Sequence, residues 1–382
     1  MTRTTFTGAR VFDGSTLYEG HALVVEEGLI AAILPEGEVP SGGRRIALEG
    51  GILMPGFVDL QANGGGGVMF NDETTVEGLR CMAEAHASTG TLTILPTLIT
   101  DTAERTRAAI EAVARAVEDG VPGIVGLHLE GPHLEVTRKG AHDAALIRPM
   151  TDADEVMLCA AAARLPTLKL TVAPEAVTSA QIARLTRSGA LVSLGHTDCS
   201  YDAARGAFAA GARCVTHLFN AMSPLKHREP GLVGAALDSG GVHVGIIADG
   251  VHVHPAALRV AMAAKVGAGE MFLVTDAMAT LASELREFRL NGRRVLRDNQ
   301  RLTLEDGTLA GADLEMPRAL RVAMTEGGVP EAKALAMTTS IPARLLTGGA
   351  HRGALRVGAK AVAIHLPDRG RARPLAELTA PA

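Results

Sequence analysis

Gly123-Ile-Val-Gly-Leu-His-Leu-Glu130 is an apolar run of strand length that ends on a carboxylate, and Gly131-Pro132-His133 follows it as a turn. Three further runs end in the same manner. Leu191-Val-Ser-Leu-Gly-His196 and Cys214-Val-Thr-His217 finish on imidazoles, and Met271-Phe-Leu-Val-Thr-Asp276 finishes on a second carboxylate. Strands this apolar are buried on both faces, as in a parallel sheet. The polar residue then marks the tip where each strand leaves the core.

Outward from these four runs the same rhythm continues. Eight strand-like runs lie at Phe57–Leu60, Leu92–Leu98, Ile124–Leu129, Leu168–Val172, Leu191–Leu194, Cys214–Thr216, Val242–Ile247 and Met271–Val274. Ala-rich helical patterns separate them, among them Thr75–His86, Thr102–Val117, Thr178–Arg187 and Pro255–Val266, each opening on a helix-start residue. Eight βα units predict a (β/α)8 barrel, whose strand tips converge on one mouth. Residues 1–54 read instead as short β-branched strands between Asp-Gly, Glu-Gly and Gly-Gly turns, and residues 348–382 return to strand character. The two ends are expected to pair as one small β-sandwich flanking a barrel over 55–347. A hairpin insertion near 286–310 carries Asn291-Gly292 and Asp306-Gly307 turns. Helical patterns resume at 313–326 and 331–346.

Bulk properties narrow the function. The chain has 382 residues, 47% hydrophobic and 21% charged, with a formal charge of −5, the profile of a packed globular enzyme rather than a disordered chain. The acidic balance, with no Trp, two Tyr and eight Phe, argues against nucleic-acid binding, which needs a basic face and stacking aromatics. Cys81, Cys159, Cys199 and Cys214 are scattered and read as small buried hydrophobes of a reducing compartment. With neither an apolar leader nor a membrane-length run, a cytoplasmic protein is expected.

Glu130, His196 and His217 together offer one carboxylate and two imidazoles on strand tips, the donor set of a catalytic zinc with one open position. Singly, each His would pass for a hydrogen-bonded core residue, and Asp276 for a helix cap. On one barrel mouth, Asp276 becomes the natural base for a metal-activated water, and the same group can then protonate a leaving amine.

Pro55-Gly-Phe-Val-Asp59, His128-Leu-Glu-Gly-Pro132, Ser193-Leu-Gly-His-Thr197, Thr216-His-Leu-Phe-Asn-Ala-Met222, Arg228-Glu-Pro-Gly231, Ile247-Ala-Asp-Gly-Val-His252 and Val274-Thr-Asp-Ala277 occur in that order. The series resembles that of the N-acetylglucosamine-6-phosphate deacetylase family of the amidohydrolase superfamily, from about residue 5 to 365. The resemblance implies a homodimer that hydrolyses N-acetyl-D-glucosamine 6-phosphate to D-glucosamine 6-phosphate and acetate. It implies metal ligands at Glu130, His196 and His217, a catalytic base at Asp276 and a carbonyl-polarising role for His142. Substrate contacts carry over to Ala141, His142, Asn220, Ala221, Arg228, His252, Leu309, Ala310 and Gly311, with Arg228 or His252 serving the neighbouring subunit's phosphate site.

The chain departs from the wider superfamily at the first strand. Gln61-Ala-Asn63 stands where many relatives carry His-x-His for a second metal, and neutral carboxamides are poor zinc ligands. One divalent ion per subunit, zinc, is therefore expected. His133 reads as a loop residue rather than an added ligand. Met278–Ser283 lacks the Pro/Gly-rich character usual after the catalytic Asp, and the tail from Gly358 lacks a customary Asp. Competing readings are the N-acetylgalactosamine-6-phosphate deacetylase, another single-metal amidohydrolase, and a non-catalytic scaffold. A dihydroorotase-like enzyme would carry a bridging Lys where this chain has Ala173-Pro-Glu175. A scaffold would have lost ligands that this chain keeps.

Overall fold

The computed structural model describes residues 3–379. Its centre is an eight-stranded sheet of β1 (Phe57–Ala62), β2 (Thr91–Ile99), β3 (Leu127–Glu130), β4 (Leu168–Val172), β5 (Leu191–Leu194), β6 (Cys214–Val215), β7 (His243–Ile246) and β8 (Met271–Leu273). Consecutive strands pair in parallel from β1 to β8. Past the strand ends, a parallel bridge between Ala62 and Ala277 and the Asp276 N–H donating to the Gln61 carbonyl at 3.0 Å close the barrel.

The run expected to begin at Ile124 makes an isolated parallel bridge to Ile94 there, and the continuous strand begins at Leu127. Gly126, at φ +151, interrupts the run between them, and the position requires glycine because a Cβ there would lie 2.1 Å from the Thr167 carbonyl oxygen. The helical pattern over 331–346 breaks into Glu331–Thr338 and Ser340–Ala343. Pro342 lacks an N–H and its ring opposes the preceding turn, so a continuous helix is excluded. Hydroxyls of Thr75, Thr102 and Thr178 accept from backbone N–H groups three residues on, so these expected helix starts correspond to built caps, and Thr151 and Ser200 cap two further helices in the same way.

Two small sheets flank the barrel. One joins Arg3–Thr7, His21–Glu26, Leu29–Pro35 and Arg44–Ala47; the other joins Arg10–Phe12, Leu17–Tyr18 and Ile52–Pro55 to Ala363–Leu366 and Arg373–Pro374. Ile364 pairs with Met54, so the two ends of the chain share a sheet. Phe6, Val11, Leu23, Ile30, Leu53 and Ala363 fill the space between the sheets. The insertion is an antiparallel meander of Glu287–Leu290, Arg293–Asp298, Arg301–Leu304 and Leu309–Ala312. It has its own core of Leu290, Val295, Leu302 and Ala310, seated on Met69, Ile99 and Met278. No helix among the described residues is long and apolar enough to cross a membrane.

Candidate active site

The barrel register sets Ile99 beside Glu130 and Glu130 beside Thr171, at one level of the mouth. Glu130 ends β3, while His196, His217 and Asp276 lie one or more residues beyond the ends of β5, β6 and β8. Those last three residues have φ of +48, +31 and +53, left-handed values that a non-glycine residue holds only when its surroundings enforce them.

Glu130 Oε1 is 3.3 Å from His196 Nε2 and 3.0 Å from His217 Nε2, and the two imidazole nitrogens are 3.1 Å apart. Ligand atoms at zinc bond lengths of about 2.0–2.1 Å and tetrahedral angles would be about 3.3 Å apart. The donor set and its spacing therefore fit a tetrahedral divalent ion. His142 is a neighbour of this cluster, its ligand atom lying within 4.8 Å of those of Glu130 and His196. His142 Nδ1 is turned to Thr100, accepting from its N–H at 3.3 Å and lying 2.7 Å from its hydroxyl. The proton of a neutral ring then sits on Nε2.

Supporting groups fix the ligands. His196 Nδ1 donates to the Arg138 carbonyl at 2.9 Å, so Nε2 is the free lone pair. Gln61 Nε2 donates to both Glu130 oxygens, at 3.1 and 3.3 Å, and to Asp276 Oδ1 at 3.0 Å. Asn63 Nδ2 donates to the same Asp276 oxygen at 2.7 Å. Asp276 Oδ2 makes no hydrogen bond within the described protein.

Charges follow from burial and neighbours. Burial works to raise the Glu130 carboxyl, but the adjacent His196 and His217 imidazoles outweigh it and hold the group well below the usual range. Burial would lower His217, yet Glu130 more than offsets this and raises it. Asp276 is raised by burial and by the Glu130 charge. His142 is held well below the ordinary histidine value by burial and by His196, in keeping with a neutral donor.

These groups line a cavity of about 340 Å³, large enough for one substituted sugar ring. Its wall brings together Glu130, Ala141, His142, His196, His217, Asn220, Ala221, His252, Asp276, Leu309 and Gly311. His252 Nδ1 donates to Asp249 at 2.6 Å, which leaves Nε2 for the cleft. Two expected contacts lie elsewhere. Ala310 is fully buried in the core of the meander, because alternate residues of a strand face opposite ways. Arg228 is exposed in the loop before the helix Gly231–Asp238 and does not line the cavity of its own chain. His133 Nδ1 donates to the Arg148 carbonyl at 3.1 Å on a different small cleft, so it is a loop residue. Sequence reasoning weighed Gln61 and Asn63 only as poor ligands and passed over Thr100 and the Arg138 carbonyl. The amides were visible as polar residues on a strand tip; the other two groups carry no sequence signal.

Residues 52–379 match the amidohydrolase family and residues 5–53 the NagA composite domain. The chain is 42% identical over 341 residues to the N-acetylgalactosamine-6-phosphate deacetylase of Shewanella sp. (strain ANA-3), covering 89% of this chain and 86% of that protein. The N-acetylglucosamine-6-phosphate deacetylase structure from Pasteurella multocida superposes with a TM-score of 0.91 at 35% identity, over 97% of each chain. A mutant of the Mycobacterium smegmatis enzyme in complex with N-acetyl-D-glucosamine-6-phosphate superposes with a TM-score of 0.88 at 32% identity, over 96% of each chain.

Proposed function

The chain belongs to the amidohydrolase family, and on that premise we propose that it deacetylates N-acetyl-D-glucosamine 6-phosphate, giving D-glucosamine 6-phosphate and acetate. It is a hydrolase of a linear amide bond, acting in amino-sugar metabolism. The observation that supports this reading best is Asp276, pinned through Oδ1 with Oδ2 free, in one cavity with a carboxylate and two imidazoles that lie 3.0–3.3 Å from one another.

A divalent ion, zinc on our reading, would be held by Glu130, His196 and His217 and would supply Lewis acidity for a water nucleophile and for the acetyl oxygen. The remaining work falls to side chains. Asp276 Oδ2 takes a proton as water adds to the acetyl carbon. His142 Nε2–H faces the charge that develops on the acetyl oxygen. Asp276 returns the proton to the sugar nitrogen as the C–N bond breaks, so the amine leaves neutral. Asn63 and Gln61 keep Oδ1 occupied, which commits Oδ2 to both transfers.

We infer a single ion per subunit, because the Gln61 and Asn63 amides present N–H groups to the carboxylates, and donors there oppose a second cation. Exposed Leu225 and Arg228 on one loop support a homodimer in which Arg228 reaches the partner's phosphate site. Four free cysteines are in keeping with the reducing cytoplasm. The galacto epimer is the second reading, favoured by the 42% identity to an enzyme named for it. Acetate release from both 6-phosphates, compared as kcat/KM, decides between them. Turnover of neither by metal-loaded protein would refute the proposal.

A further inference from the structure

At the level of Glu130 and just beneath it, the barrel interior carries polar side chains where stacked Val, Ile and Leu are usual. Thr97 on β2, His128 on β3, Thr171 on β4 and Ser193 on β5, with Thr216 directly after β6, are 0–1% exposed. They form one unbroken chain. Thr97 Oγ1 is 3.1 Å from His128 Nδ1, and His128 Nε2 is 2.7 Å from Thr171 Oγ1. Thr171 Oγ1 lies 2.7 Å from Thr216 Oγ1, which lies 2.7 Å from Ser193 Oγ.

The protons can be counted along it. Thr97 donates to the Leu95 carbonyl at 3.2 Å. His128, a neutral ring, then gives its one proton from Nδ1 to Thr97 and accepts at Nε2 from Thr171. Thr171 in turn accepts from Thr216, and Thr216 from Ser193. Every hydroxyl proton is used once. The reverse direction would leave Ser193 without an oxygen acceptor.

Three of the five links stand next in sequence to the proposed metal ligands. His128 precedes Glu130 by two residues, Ser193 precedes His196 by three, and Thr216 precedes His217 by one. The backbone before His196 is seated on the chain directly: a Cβ on Gly195 would lie 3.0 Å from Thr171 Cγ2 and 3.0 Å from Thr216 Cβ. The ring is tied further round by the Ala62 N–H donating to Thr97 Oγ1 at 3.1 Å, and by Asp59 on β1, which accepts from the Thr275 hydroxyl after β8.

We propose that His128 and Thr171 are positioning residues: their hydrogen bond joins β3 to β4 and, through the Thr171–Thr216 contact, to β6, and sets Glu130, His196 and His217 at the separation a single divalent ion requires. The inference rests on the ligand assignment above. It extends that assignment from the groups that touch the ion to a buried layer that touches neither ion nor substrate.

The test is cobalt(II) binding by chelator-stripped protein, followed by visible absorption without substrate, in Thr171→Val, Thr171→Ser and His128→Asn. Thr171→Val keeps the methyl that packs on Gly195 and removes only the hydroxyl. His128→Asn keeps a donor toward Thr97 and removes the acceptor toward Thr171, so the two variants cut one bond from opposite ends. Each is expected to bind cobalt about 10-fold more weakly with an altered spectrum. With N-acetyl-D-glucosamine 6-phosphate, kcat should fall by a similar factor with KM within about twofold. Thr171→Ser, which restores the hydroxyl, should return to within about threefold of wild type. Wild-type affinity and spectrum in whichever of Thr171→Val and His128→Asn folds would overturn the proposal, even if thermal stability fell. Wild-type protein that binds cobalt but releases no acetate would refute the assigned reaction and leave this inference intact. Wild-type protein that binds no cobalt would overturn both.

Discussion

Asp276 is held by one oxygen and acts through the other. Replacing it with Asn preserves an acceptor for Gln61 and Asn63 but removes the proton carrier. Asp276→Asn is therefore expected to fold and load metal normally while kcat falls about 10²–10⁴-fold; wild-type turnover would exclude the assignment. Gln61 is the other informative residue, since its single amide nitrogen stands between Glu130 and Asp276. Gln61→Leu leaves two buried carboxylates facing each other without that donor. A stability loss of about 1–3 kcal/mol and a fall in metal affinity of about 10–100-fold should follow, measured by denaturant unfolding and metal titration. An unchanged metal affinity would show that the bridge holds nothing in place. At this scale the reactive groups were readable, because each closes an apolar run and nothing apolar explains it. Thr100 and the Arg138 carbonyl were not readable, since what they do depends on which ring the folded chain brings beside them.

Among the elements, the helix over Asp152–Arg164 shows how much a start signal carries. Thr151 and Asp154 form a reciprocal capping box, and Arg148 grips both Asp154 oxygens. The hydrogen bond from Arg148 holds the Asp154 carboxyl well below the usual carboxylate range. Its folded value thus lies below the unfolded value of about 3.9. The stability it confers is present above that value and is lost as pH falls toward the folded one. Asp154→Asn should lower stability at neutral pH, flatten the acid limb of unfolding free energy below about pH 4, and leave kcat unchanged. An acid limb as steep as wild type would remove Asp154 from the account. Strand and helix identity followed from periodicity and caps, whereas some ends moved for reasons periodicity does not contain. The backbone at Gly126, with φ +151, interrupts the run before β3, and Pro342 splits a helix that the apolar spacing alone would have joined.

For the whole molecule, the proposed ligands come from the ends of three strands, so an ion between them would tie β3, β5 and β6 together. Metal held at about 1,000 times its dissociation constant adds about 4 kcal/mol to folding stability. Chelation should therefore abolish activity and lower Tm by about 5 °C for a chain of this length, with zinc restoring both. A Tm indifferent to chelator would place any ion outside this cluster. Local pattern in the sequence was sufficient for the barrel, the sandwich shared by the two termini and the four polar strand tips, because burial on both faces and helix capping are written in neighbouring residues. Tertiary structure alone decided that Gln61 and Asn63 share one oxygen of Asp276, that Ala310 turns away from the cleft and Arg228 stands outside it, and that five buried polar residues join into one proton-ordered chain. Those outcomes depend on the register and closure of strands far apart in the chain, and hydrogen-bond geometry at 3 Å is set by that closure rather than by any spacing along the sequence.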